Sequence, residues 1–279
     1  MIHYRSIADL LRVLYGRVIP MIGRVDIAAV WGVPRSGMLP ATILATHYHA
    51  RLGMVGDRIP RGGLRAARYT KAGEMHLVVE DCVGGGGGIN NATVWVEGLG
   101  IPRKSIITIA PFCHPDILAR VDITGEALPY TQLYEWNWLN SDVMPLTLFD
   151  MDGVICEDHP FVDGDPRYLP WVQSARPLFV PSFPILGVVS SRLEEVRAPT
   201  ETWLDRYGVR RQFVDLFPGS REERDKVRSL AARKGEIYKN RQDAMLFVES
   251  HLGTAEAINL IAKKPVLCTN DGKAITFLP

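Results

Sequence analysis

At 279 residues, with 47% hydrophobic and 23% charged residues, the chain is globular in composition and long enough for two ordinary domains. A net charge of +1 supplies no electrostatic reason to expect a nucleic-acid or membrane-surface partner. Cys82, Cys113, Cys156 and Cys268 are too scattered for a zinc knuckle or a disulfide framework. No apolar stretch reaches the roughly 18 residues that a bilayer span needs. The opening Met-Ile-His-Tyr-Arg-Ser lacks the basic-then-apolar pattern of a signal peptide, so reduced thiols and a cytoplasmic location are expected.

In chain order, Ser6 is placed to cap a helix over 7–18, where Ile7, Leu10, Leu11 and Leu14 recur at helical spacing. A strand over 27–33 and a helix over 39–52 follow, then strands over 77–80 and 106–110, with a helical stretch over 90–97 between them. After Ser141-Asp142-Val143-Met144-Pro145 the alternation restarts, with strands ending at Phe149 and spanning 185–189 and 245–248. Helices are expected near 194–207 and 221–239. Alternation of this kind predicts an α/β protein of two Rossmann-like domains with mostly parallel sheets, over 1–141 and 145–279.

Two features of the first half carry chemistry. Leu77-Val78-Val79 delivers Glu80 and Asp81 to a glycine run, Gly84, Gly85, Gly86, Gly87 and Gly88. Adjacent acids accept hydrogen bonds from vicinal sugar hydroxyls, while exposed backbone N–H groups cradle a phosphate. A glycine run is also what a flexible linker looks like, but this one directly follows an apolar strand. The second feature is Gly32-Val33-Pro34-Arg35-Ser36-Gly37, again after an apolar strand. Together these resemble the phosphoribosyl-diphosphate (PRPP) motif and diphosphate loop of type I phosphoribosyltransferases, over roughly residues 7–138. The resemblance implies that fold, with Glu80 and Asp81 on the ribose hydroxyls, Gly84 to Gly88 on the 5-phosphate, and Arg35 and Ser36 on the diphosphate. It also implies Mg²⁺ on the diphosphate and a mobile loop carrying Arg61, Arg65, Arg68 and Lys71. The family loop usually has Thr or Ser near positions 85 and 88, where this chain has glycine. Downstream, Tyr134-Glu135-Trp136-Asn137-Trp138 is suited either to stacking on an acceptor or to packing a domain interface.

In the second half, the strand Leu146-Thr147-Leu148-Phe149 stops on Asp150-Met151-Asp152-Gly153. A carboxylate there is placed to attack phosphorus, and a second acid two residues on to move the leaving-group proton. Strand-end hydroxyls at Ser190-Ser191-Arg192, a lysine and the strand-end acid Glu249 complete a phosphate site. In this order they resemble the haloacid dehalogenase superfamily, over 146–279. The resemblance implies Asp150 as nucleophile, Asp152 as acid/base, Ser190 as phosphate hydroxyl and Lys234 as bridging cation, with Lys226 and Lys239 as alternatives. It further implies Mg²⁺ held by Asp150, Asp152 and Glu249. The family's last motif commonly offers two acids; here Ser250, His251 and Gly253 follow a lone Glu249. The stretch 156–184 leaves room only for a minimal cap, which suits a bulky substrate.

Side by side, the halves resemble the two-module ribofuranosyltransferases of bacterial polysaccharide clusters. That resemblance implies transfer of 5-phosphoribofuranose from PRPP to a glycan hydroxyl, or another small-molecule acceptor, followed by removal of the 5-phosphate. Two alternatives stay open: ribosylation of a nitrogenous base followed by dephosphorylation, and a non-enzymatic PRPP sensor fused to a phosphatase. The sequence leaves the oligomeric state open.

Overall fold

The structure, a computed structural model, describes residues 1–57, 73–160, 165–227, 229–270 and 275–279. The chain divides into two compact units, essentially His3–Trp136 and Asn137–Pro279. Both are α/β with mostly parallel sheets. The segment 137–141, expected at the end of the first domain, clusters with the second unit. Trp138 is buried there, stacked on Phe149 and packed on Phe179.

In the first unit Ser6 and Asp9 form a reciprocal capping box that starts the helix Ile7–Val13. The helix runs on through a π-helical turn, Leu14–Val18, into Ile19–Ile22. The strands are β1 (His3–Arg5), β2 (Ile27–Gly32), β3 (Arg51–Met54), β4 (Met75–Val79), β5 (Cys82–Val83), β6 (Ile106–Cys113), β7 (Ile123–Ala127) and β8 (Gln132–Tyr134). β1 pairs with β8. The main sheet runs β3-β2-β4-β6, with β5 and β7 also paired to β6, and every pairing is parallel. One face of this sheet packs on the N-terminal helices and Met38–His47, the other on the helix Gly87–Glu97. Burial on both faces is why its strands read as unbroken apolar runs. The helix expected over 39–52 stops at His47; His49 turns the chain at φ +51° and Arg51–Met54 pairs with β2 as an edge strand.

β5 and β7 both pair with Phe112 and Cys113, so they lie on opposite edges of β6, and β5 takes the edge that β4 begins. Glu80 and Asp81 are thus the break between two strand pieces on one neighbour. The Glu80 N–H donates to the Ile109 carbonyl and the Asp81 carbonyl accepts from Phe112.

The second unit contains β9 (Thr147–Phe149), β10 (Ile185–Leu193), β11 (Arg211–Phe217), β12 (Leu246–Glu249), β13 (Val266–Cys268) and β14 (Thr276–Leu278). They are ordered β11-β10-β9-β12-β13-β14, parallel except for β13–β14. Phe149 pairs with Val188 on one side and Val248 on the other, so Asp150, Ser190 and Glu249 emerge at one carboxyl edge. The chain goes from β9 to β10 and returns beyond β9 to β12, which makes β9/β12 the switch point where open α/β sheets leave a crevice. The helix expected over 221–239 is two, Arg221–Lys226 and Leu230–Asn240, each begun by its own serine cap. Among the described residues no helix is long and apolar enough to cross a membrane.

Candidate active sites

The first site is built at the β4/β5 break. Gly37 sits so close to this point that a Cβ on it would lie 2.6 Å from the Val33 carbonyl oxygen and 2.8 Å from that of Val79. Only glycine lets the loop after β2, with exposed Arg35 and half-buried Ser36, close against the acids. The loop is tied down by the Val33 N–H, which donates to Val79 at 2.9 Å.

Asp81 is buried, and its Oδ2 accepts the indole N–H of Trp136 at 2.8 Å. Trp136 is itself stacked on Phe112 and Tyr134. Burial raises the Asp81 pKa, against the hydrogen bonds from Trp136 and the backbone. Glu80 is pushed up to about 7, first by burial and then by Asp81, although the Ile89 N–H stabilises its charge. That bond aims the Glu80 carboxylate at the first turn of the helix Gly87–Glu97, where a Cβ on Gly88 would lie 2.6 Å from Glu80 Oε1.

The glycine loop is therefore constrained at alternate positions. Gly84 faces the Tyr130 hydroxyl, Gly86 has φ +79°, and Gly88 faces Glu80, whereas Gly85 and Gly87 look into open space. Of the aromatic segment, Trp136 turns out to orient Asp81, and Glu135 accepts from the Ile7 N–H at the start of its helix. Arg61, Arg65, Arg68 and Lys71 lie outside the described residues.

In the second site Lys234, buried on the helix Leu230–Asn240, lies 2.7 Å from Asp150 Oδ2 and 2.8 Å from Glu249 Oε2. Lys226 and Lys239 are exposed, Lys239 against Glu236. Burial opposes the Lys234 charge, but Asp150 and Glu249 outweigh it and raise its pKa. The Asp150 pKa is raised as well, first by burial and then by Glu249, because one ammonium group cannot neutralise two buried carboxylates. Ser190 is buried on β10, with its Oγ accepting the Arg192 N–H at 3.2 Å.

Arg192 was given no role on sequence grounds, yet it organises this edge. Its guanidinium is fully buried, donates to both Asp152 carboxylate oxygens, reaches Thr200 and lies 5.1 Å from the centre of the Trp171 ring. The Asp152 carboxylate thus pairs with Arg192, so what Asp152 offers a metal beside Asp150 and Glu249 is its backbone carbonyl. Among the described residues no group of three or more His, Cys, Asp or Glu side chains is arranged to hold a metal ion. Hard oxygen donors are nonetheless present: the Asp150 and Glu249 carboxylates, and the Asp152 carbonyl, 3.4 Å from Ser250 Oγ. Two carboxylates plus water and phosphate are a usual magnesium shell, and the surplus buried negative charge favours a cation, so the donor set fits Mg²⁺. Between β9 and β10 the described residues form a single helix, Tyr168–Ser174.

No protein-family model matches the chain, and no curated protein matches it. Among solved structures it is similar to a purine phosphoribosyltransferase from Pyrococcus horikoshii. The two are 18% identical with a TM-score of 0.39, covering 48% of this chain and 93% of that one. It is also similar to the Helicobacter pylori xanthine-guanine-hypoxanthine phosphoribosyltransferase, at 19% identity and a TM-score of 0.36, covering 49% and 93% respectively. A Thermus thermophilus protein, TT1426, follows at 18% and 0.29, covering 44% and 81%. The α/β architecture rests on the strand order and pairing, not on these likenesses.

Proposed function

We propose that the first unit transfers a 5-phosphoribosyl group from PRPP, as its magnesium complex, to an acceptor hydroxyl of a glycan, and that the second unit hydrolyses the 5-phosphate. The observation that carries this reading is the placement of Glu80 and Asp81 at a strand break bordered by two glycine-dependent loops. Acids at such a break suit the ribose diol, and Arg35 and Ser36 suit the departing diphosphate. As diphosphate leaves, positive charge develops at C1, and the nearby carboxylates favour it electrostatically.

In the second unit Asp150 attacks phosphorus, the bond from phosphorus to the C5 oxygen breaks, and Asp152 gives that oxygen its proton. Water then attacks the aspartyl-phosphate, Asp152 takes the proton, and inorganic phosphate leaves. Arg192 holds the Asp152 carboxylate when no substrate is bound and must release it, protonated, for the acid step, while Ser190 presents a hydroxyl to the phosphate and Lys234 offsets the charge of Asp150. Mg²⁺, held by Asp150 and Glu249, would screen the repulsion between phosphate and carboxylate.

The test is incubation of the full chain with PRPP, Mg²⁺ and a panel of glycans and bases, read by mass spectrometry. Gain of ribose on a glycan is the expected result. Gain on a base assigns nucleoside formation instead, and no gain on any acceptor, with phosphatase turnover intact, would leave a sensor.

A further inference from the structure

We propose that Arg120 is a ligand of the sugar 5-phosphate, supplying the charge that the all-glycine loop cannot; this rests on the phosphoribosyl reading of the first unit. A phosphate at the loop finds no side-chain hydroxyl on residues 84 to 88. It also finds the first turn of the helix Gly87–Glu97 partly occupied, since Glu80 already accepts the Ile89 N–H and fills the space beside Gly88. Backbone N–H groups next to two acids are a poor seat for a dianion unless a cation stands close by.

Arg120, at the end of the 3-10 turn Pro115–Arg120, lies along the loop. Its Nη1 donates to the Gly85 carbonyl at 3.3 Å, and its Cδ would be 3.2 Å from a Cβ on Gly86. Three arginines of this unit are held by carboxylates, Arg5 by Glu126, Arg12 by Asp9 and Arg103 by Asp122, and Arg17 donates to the Gly125 carbonyl, away from the glycine loop. Among the described residues Arg120 has no carboxylate partner and spends one of its five N–H donors on that carbonyl. Gly86 is required by its φ of +79°, and its missing Cβ also leaves the Arg120 stem a few tenths of an ångström more room beside the loop. Tyr130, its hydroxyl at Gly84 and its ring stacked 4.6 Å from His114, borders the same loop.

The test measures PRPP affinity by calorimetry, with inorganic pyrophosphate measured by competition against PRPP, so that only the shared site is read. Full-length protein carrying Asp150→Asn is used, so that the second unit does not consume the ligand. Arg120→Ala should weaken PRPP by on the order of 10- to 100-fold, the worth of a charged hydrogen bond. It should leave pyrophosphate, which lacks the 5-phosphate, within about twofold, and Arg120→Lys should recover part of the loss. Unchanged PRPP affinity, or an equal loss for both ligands, would overturn the assignment. A parent protein that binds no PRPP would overturn the phosphoribosyl reading itself, and this inference with it.

Discussion

Glu80 carries the more consequential titration of the first site. Its ordinary pKa of 4.5 rises to about 7 in the fold, through burial and the neighbouring Asp81. Between those values the folded chain holds a proton that the unfolded chain has released, so stability falls as pH rises through this window. The fall should be about 2 to 3 kcal/mol, allowing for the part of the side chain that stays wet. Glu80→Gln keeps an acceptor for the Ile89 N–H but cannot ionise, so its stability should lose this slope between pH 4.5 and 7. Denaturant unfolding at several pH values measures the difference between variant and parent, and parallel profiles would refute the assignment. In the second site the corresponding imbalance is two buried carboxylates on one lysine. Mg²⁺ should therefore stabilise the fold by RT ln(1 + [Mg²⁺]/Kd), about 2.7 kcal/mol at a hundredfold excess over Kd, and so raise the Tm. Glu249→Gln should abolish most of that rise, and an unaltered magnesium response in the variant would remove Glu249 from the shell.

At the scale of elements, the two loops of the first site are held together by what Gly37 lacks. Gly37→Ala would push a methyl group into the Val33 and Val79 carbonyl oxygens, which are backbone and cannot swing aside as a side chain would. The expected cost is about 1 to 3 kcal/mol, together with weaker PRPP binding as the loop lifts from the acids. Equal stability and equal affinity in the variant would show that the loop does not need this approach. Gly16→Ala, which meets nothing within 4 Å and lies outside both loops, is the matched control. The acids, the glycine run and Asp150 were legible in the sequence because each follows an apolar strand, and a strand end followed by glycine is a local signal. Short or edge strands such as β5 and β3 were not, since two to four residues carry no period of their own. Contacts between residues remote in the chain were equally hidden. Trp136 reaches Asp81 from 55 positions away and Arg192 reaches Asp152 from 40, distances over which composition and spacing say nothing. The single helix expected over 221–239 failed for a different reason. Ser229 caps a new start inside a run that is otherwise rich in helix-forming residues.

For the whole molecule, the proposed chemistry makes the product of one unit the substrate of the other. Release of diphosphate leaves a ribosylated acceptor that still bears a 5-phosphate, and hydrolysis of that ester commits the sequence. Asp150→Asn replaces the attacking carboxylate by an amide, so the 5-phosphorylated product should accumulate; a fully dephosphorylated product from this variant would sink the assignment. Asp81→Ala removes a hydroxyl acceptor from the first site and should abolish transfer, while turnover of a simple phosphate ester by the second unit persists. Transfer at the parental rate would show that Asp81 is not needed there. The two variants fail at different steps, so mixing them should restore the finished product. The Asp150→Asn chain still releases the phosphorylated intermediate, and the Asp81→Ala chain still removes its phosphate. The expected time course has a lag, because the intermediate must build up in solution before the second protein meets it, and the lag should shorten as the Asp81→Ala chain is added in excess. Mass spectra of the mixture would show the phosphorylated species rise and then decay into the ribosylated one.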